Sequence, residues 1–319
     1  MIPALPILAL LPALVLPPAL AEWRASIEAA GVPVLIAEVQ SSPGGETLTL
    51  PEDTPGRPLF AYYLRQPGFL QQFVHMRGVM VHHQAPGAEA YLILLNGARR
   101  GEWERSEAAL IGHELGHAWL RARRFPLPPA LPTDPACLAI HAGDIVEHVL
   151  IRRELARRGI EQASYWIESF DASLRHMKTL PDGEGLRLAR LDPCRALRHA
   201  AAWVDARLGL GGGAWSALDG FESESRRLFP GLEQTVAALL GHLDPARLEE
   251  PAGAEAALAA AASLLRAFAA TLAPARGPAL EPYANLMKDT SVALSWPVRA
   301  RRAWPVPSCE AVSLVRSIP

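Results

Sequence analysis

Lysine is nearly missing from this chain of 319 residues: Lys178 and Lys288 are the only two, and arginine supplies the rest of the positive charge. With alanine and proline both abundant, that bias reads as base composition of the coding DNA and not as a binding signal. The formal net charge is −2 and the pI about 6.6, so nothing steers the chain to nucleic acid or to acidic membrane surfaces. Cysteine is also sparse. Cys137, Cys194 and Cys309 lie far apart and form no C-x-x-C, which excludes a structural zinc knuckle. They leave two readings open: one disulfide plus a spare thiol in an exported protein, or three unrelated thiols in a reducing compartment. There is no sustained coiled-coil heptad and no repeat at a solenoid period.

Charge is absent altogether from residues 1–21 (MIPALPILALLPALVLPPALA). Ala19-Leu20-Ala21 before Glu22 fits a signal-peptidase cleavage pattern, and five prolines argue against a stable spanning helix. Against a signal peptide, no Lys or Arg precedes the apolar run. The expectation is a cleaved signal peptide and a secreted or periplasmic protein that leaves the membrane. A buried apolar arm of a cytoplasmic protein and a membrane anchor are the alternatives.

What the chain does have is a core: 50% of its residues are hydrophobic and 20% charged, enough to fill one large domain or two smaller ones. It also has His113-Glu114-Leu115-Gly116-His117, an H-E-x-x-H motif. On an α-helix, residues i and i+4 lie one above the other, so both imidazoles can reach one metal ion. Glu114 then stands beside that ion, where it can accept a proton from an activated water. The context is helical. Glu107 to Arg123 contains no proline, and Ile111 is its only β-branched residue. Ser106 is a candidate N-cap, and Arg121, Arg123 and Arg124 suit the C-terminal end of the helix dipole. Gly112 and Gly116 let another backbone or a substrate approach closely.

Catalytic zinc takes three protein ligands and an open position. A histidine six residues after His117 would complete a metzincin pattern, but that position is Arg123, and the glycine position is Leu120. The next candidates lie on a second expected helix, Ala142 to Gly159, which carries Asp144, Glu147, His148 and Glu154 and is preceded by His141. A helix-borne glutamate downstream of H-E-x-x-H resembles the gluzincin class of zinc metallopeptidases. That resemblance covers about residues 90–160 and is specific only at the five-residue core. It implies His113 and His117 as metal ligands, Glu147 as the third, Glu114 as general base, and one Zn²⁺ per chain. Gluzincins commonly place an aspartate four residues after the ligand glutamate; here that position is Ile151, and Asp144 is the candidate substitute for orienting a histidine. His148, His141, Asp144 and Glu154 remain alternatives to Glu147 as third ligand.

The expected fold class is α+β, a small mixed sheet with the motif helix followed by a mostly helical lobe. Pro33–Val39, Gly78–His83 and Tyr91–Leu95 read as strands, and Arg65–Phe73 as a helix between strands. Tyr91–Leu95 fits either an edge strand beside a peptide cleft or a central buried strand; His75 and His82-His83 read as packing or surface residues. Beyond Gly159 helices are expected over Ser164–Lys178, Cys194–Leu208, Ala214–Leu228, Leu232–Leu243 and Ala254–Leu272. The expected organisation is a leader at 1–21, a zincin-like metal-binding domain at 22–160, a helical domain at 161–280 and an irregular proline-rich tail at 281–319. Tyr165, His176, His199 and Tyr283 are unranked candidates to stabilise an oxyanion. The pattern points to a zinc metallopeptidase acting on peptides or proteins. A non-catalytic zinc-binding or interaction module is the alternative, and an accidental motif in a helical interaction protein is a third reading.

Overall fold

A computed structural model of the chain describes residues 15–41, 48–85, 88–135, 137–180, 190, 192–211 and 213–272. The expected leader lies outside these residues up to 14, and so does all of the expected tail at 281–319, with Cys309 and Tyr283. The architecture is mixed α+β, mostly helical, with one small mixed sheet.

Four strands make that sheet: β1 (Val34–Ser41), β2 (Leu48–Thr49), β3 (Gly78–Ala85) and β4 (Ala88–Asn96), in the order β2-β1-β4-β3. β1 runs parallel to β4, with Val34 opposite Tyr91; β3 and β4 form an antiparallel pair, with Gly78 opposite Leu95. β4 alternates as a pleated strand must. Tyr91, Ile93 and Leu95 join the large helical core, while Ala90, Leu92 and Leu94 join a smaller core with Phe60, Tyr63 and Phe73. Those last three come from α2 (Arg57–Leu64) and α3 (Pro67–Phe73), which cover the far face. Cover on both faces explains the unbroken apolar run Tyr91–Leu95. Of the two readings of that run the central strand is the observed one, and β3 is the edge strand beside the motif helix.

The motif helix, α4 (Glu107–Ala122), starts one residue after Ser106. Ser106 does not cap it; its hydroxyl turns back to the Trp103 carbonyl. Asn96 anchors the connection from β4. Its side-chain amide donates to the Phe73 and Met76 carbonyls, its Oδ1 accepts from the Ala98 amide, and its own carbonyl takes the Trp103 indole N–H. Before the sheet, α1 (Pro18–Glu28) lies on α4, with Trp23 edge-on to Trp119. Ala19-Leu20-Ala21 therefore sits inside a helix, and Leu20 is fully buried in the main core.

Behind α4 lies α5 (Leu138–Arg157), with 15 of its 20 residues buried. It is enclosed by α4, by α7 (Pro193–Leu210) and by α11 (Pro251–Leu272). Around these pack α6 (Ala163–Thr179), α8 (Leu218–Leu228), α9 (Leu232–Leu240) and the short α10 (Pro245–Leu248). The expected helix at Ala214–Leu228 begins only at Leu218. A single hydrophobic cluster contains Leu110 and Leu115 of α4 together with Phe170, Trp203 and Leu265, so the expected boundary at residue 160 is not a boundary of the core. α11 is long and apolar enough to cross a membrane. Here it buries Ala254, Ala257, Leu258, Ala261, Leu265 and Phe268 against its neighbours, and Arg266 pairs with Asp134.

A Cys137–Cys194 disulfide ties the start of α5 to the start of α7. Closing a loop of 57 residues contributes on the order of 4 kcal/mol on the chain-entropy account.

The two glycines of the motif helix show why α4 and α5 lie so close. A Cβ on Gly116 would stand 2.6 Å from Ile151 Cγ2, and one on Gly112 would stand 2.5 Å from Leu155 Cδ2 and 3.2 Å from Leu20 Cδ2. Ile151, the position at which the gluzincin pattern carries an aspartate, instead fills the notch over Gly116. Gly116→Ala gains about 1 kcal/mol of helix propensity but overpacks this notch, at a cost of roughly 1–3 kcal/mol. It is expected to lower the urea midpoint, and a raised midpoint would show that the contact is slack.

Candidate metal centre

The spacing of α4 and α5 brings three imidazoles together. One ring nitrogen from each of His113, His117 and His148 lies within 4.8 Å of the other two, and all three residues are buried to 1% exposure or less. His113 Nε2 and His117 Nε2 are 3.3 Å apart. Tetrahedral coordination at 2.0–2.1 Å separates two ligand nitrogens by about 3.3 Å. The three rings pack edge-on or tilted, with centroids 4.7–5.4 Å apart.

Two carboxylates decide which nitrogen each ring can offer. Glu147 stands 2.9 Å from His117 Nδ1 and also binds Arg121. Burial would raise its pKa, but the Arg121 guanidinium and His117 hold it at about 2. An ionised carboxylate only accepts, so His117 must donate Nδ1–H and keep Nε2 as a lone pair. Asp205 on α7 repeats the arrangement for His148. It lies 2.8 Å from His148 Nδ1 and accepts from Arg152 Nη1. Burial opposes its charge, while His148 and Arg152 pull its pKa below the usual carboxylate range. His148 Nε2 is left buried with no hydrogen-bond partner, and so is His113 Nδ1.

Burial disfavours charge on the rings as well. It lowers the pKa of His113, reinforced by the other two histidines, and lowers that of His117 despite Glu147. For His148 burial pulls the same way, but the Asp205 carboxylate outweighs it and the pKa rises. The donor set is three imidazole nitrogens in a dry pocket, a set that suits Zn²⁺ and neighbouring divalent ions.

Glu114 is fully buried, and no side chain hydrogen-bonds either of its oxygens. Burial pushes its pKa up to about 8, offset only in part by the Met80 backbone on edge strand β3. Trp166 and Tyr165 of α6 cover the histidines, with ring centroids 5.4 Å and 6.0 Å from His113. Arg77 lies over the Tyr165 ring at 5.7 Å and donates to Ser169 Oγ.

His113 and His117 come together, as the sequence leads one to expect, and Glu114 is buried on the same helix. Glu147 reaches the site as the partner of His117, and the nitrogen that meets the other two belongs to His148. The carboxylate of Glu147 is engaged by His117 and Arg121. Asp144 lies 3.6 Å from His141, and Glu154 pairs with Arg157 and Arg158. Of the oxyanion candidates, Tyr165 lies beside His113, whereas His176 meets Arg195 and His199 packs on Phe229. His82 pairs with Glu89, and His83 with the Tyr63 hydroxyl. Asp205 escaped sequence reading, though it left a trace: it is the only acidic residue in α7, immediately after the apolar run Ala200–Val204.

His148→Ala is expected to abolish stoichiometric metal binding. Glu147→Gln should only weaken it, by about 10–100-fold. Dialysis against buffered zinc reads both, and the reverse ranking would restore Glu147 as the ligand. The chain matches no family model, no curated protein and no solved structure, so its functional reading rests on this geometry.

Proposed function

We propose that the chain is a zinc-dependent metallopeptidase in which His113, His117 and His148 hold one Zn²⁺. The observation that carries this reading is the convergence of three buried imidazole nitrogens, two of them fixed in tautomer by ionised carboxylates, beside the buried carboxylate of the same helix. Zinc in such a set supplies Lewis acidity and brings the pKa of water towards neutrality.

The chain's own groups then divide the work. Glu114 accepts a proton from the attacking water and returns it to the departing amine. Tyr165, kept neutral by burial and packed beside His113, would donate a hydrogen bond to the developing oxyanion. Trp166 excludes water around His113 and His148. In this reading an extended peptide would add along the outer edge of β3, as in a zincin-like lobe. An exported location belongs to the same proposal and is supported by the Cys137–Cys194 disulfide.

The complete burial of the three imidazoles favours one other reading, a closed zinc site without turnover. Glu114→Gln separates the two. With zinc retained at one per chain, hydrolysis of a mixed peptide library should fall by about 10²–10⁴-fold. Zinc binding without hydrolysis in the parent chain would leave the closed site standing, and normal hydrolysis by the variant would remove Glu114 as the base.

A further inference from the structure

Among the links that join α5 to α7, two span the same sequence separation. Cys137 and Cys194 are 57 residues apart, and so are His148 and Asp205. The ligand therefore follows its cysteine by 11 residues on α5, and the carboxylate follows its cysteine by 11 residues on α7. Links at equal offsets mean that the two helices run side by side in the same direction without slipping. Eleven residues make about three turns of α-helix and a rise of roughly 16 Å, so the second residue of each pair returns to the face of the first. Whatever turns Cys137 towards α7 therefore turns His148 towards α7, and likewise for Cys194 and Asp205.

We infer that the Cys137–Cys194 disulfide is a positioning device for the metal centre: it pins the register of α5 and α7 so that Asp205 meets His148 Nδ1. The inference rests on the metal reading of His113, His117 and His148. The pairing it guards is exacting. Asp205 has one oxygen on His148 and the other on Arg152, one turn further along α5, so it sits between two consecutive turns of its neighbour. A slip of one residue along the parallel helices would move the carboxylate about 1.5 Å along the axis and break both bonds. The other metal-bearing contacts have no such need, because His113 and His117 share one helix and Glu147 and Arg121 lie across the notch of Gly116. Only His148 takes its orientation from a helix 57 residues downstream. Both cysteines are half-exposed, so a dithiol or phosphine reductant can reach the bond. A phosphine with water then yields two thiols and the phosphine oxide.

The test compares Zn²⁺ affinity in the native oxidised chain, in Cys137→Ala/Cys194→Ala, in Asp205→Asn, and in the variant combining all three changes, each with Co²⁺ absorption as a check on coordination. Losing the disulfide should weaken binding by about tenfold at retained far-UV helix signal, and Asp205→Asn by about 10–100-fold. The combined variant should bind no more weakly than Asp205→Asn alone, because the bond acts through that carboxylate. Multiplying losses, or an unchanged affinity without the disulfide, would overturn the positioning role while leaving the metal reading intact. A native oxidised chain that binds no zinc would overturn both. Should the disulfide-free variant fail to fold, phosphine titration of the zinc-loaded native chain gives the same answer. Zinc release tracking new thiols and preceding loss of helix supports the pin, and release only on unfolding overturns it.

Discussion

The arrangement depends on a single constraint: a polar group in a dry interior must be answered by another. Burying an unanswered amide or hydroxyl costs several kcal/mol, and an isolated charge costs far more. At the centre of this molecule the answers come in two parallel series, Arg121 to Glu147 to His117 and Arg152 to Asp205 to His148. Each guanidinium keeps a carboxylate ionised, and each carboxylate fixes one imidazole proton. Each series ends in an imidazole. The His148 Nε2 has no hydrogen-bond partner, the His117 Nε2 meets His113 Nε2, and one nitrogen from each of the three rings converges, which is why the centre reads as a candidate binding site and not as a core network.

Much of this could be read directly from the residues. The motif helix was bounded to within one residue at its C-terminal end, because Glu107–Arg123 contains no breaker and the H-E-x-x-H spacing belongs to one face. The strands at Gly78 and Tyr91 announced themselves by β-branched and apolar runs between turn signals. Two kinds of fact stayed hidden. The choice between Glu147 and His148 depends on which of two adjacent side chains of α5 reaches the shared nitrogens of His113 and His117 and which stops at His117 Nδ1. Helical periodicity does not separate them, because α5 is buried nearly all round and carries no polar stripe to mark an outside. α1 was likewise masked by composition, since its Pro17-Pro18 start resembles the end of an apolar leader. Only Leu20, Trp23 and Ile27, spaced three and four apart, hint at a packed helix.

The close approach of α4 and α5 depends on the absence of side chains at Gly112 and Gly116. Those glycines weaken the helix as an isolated element and are repaid by tertiary contact with Ile151 and Leu155. The three clustered histidines are thus held by core packing as much as by hydrogen bonds. Geometry at the histidines is inherited from apolar residues that never touch a ligand.

The matched 11-residue spacers also bear on how such a chain can change its length over time. One residue gained or lost between Cys137 and His148 would rotate the imidazole by about 100° away from Asp205. The same holds between Cys194 and the aspartate. The connections outside those spacers, between the end of α5 and the start of α6 and from α6 to α7, carry no such phase. Insertions there cost only the slow logarithm of loop closure. Length variation in sequences built on this plan should therefore collect in the connections and spare the two helical rulers, so that a fixed 11-residue count from cysteine to ligand is a more durable signature of the centre than the residue types around it.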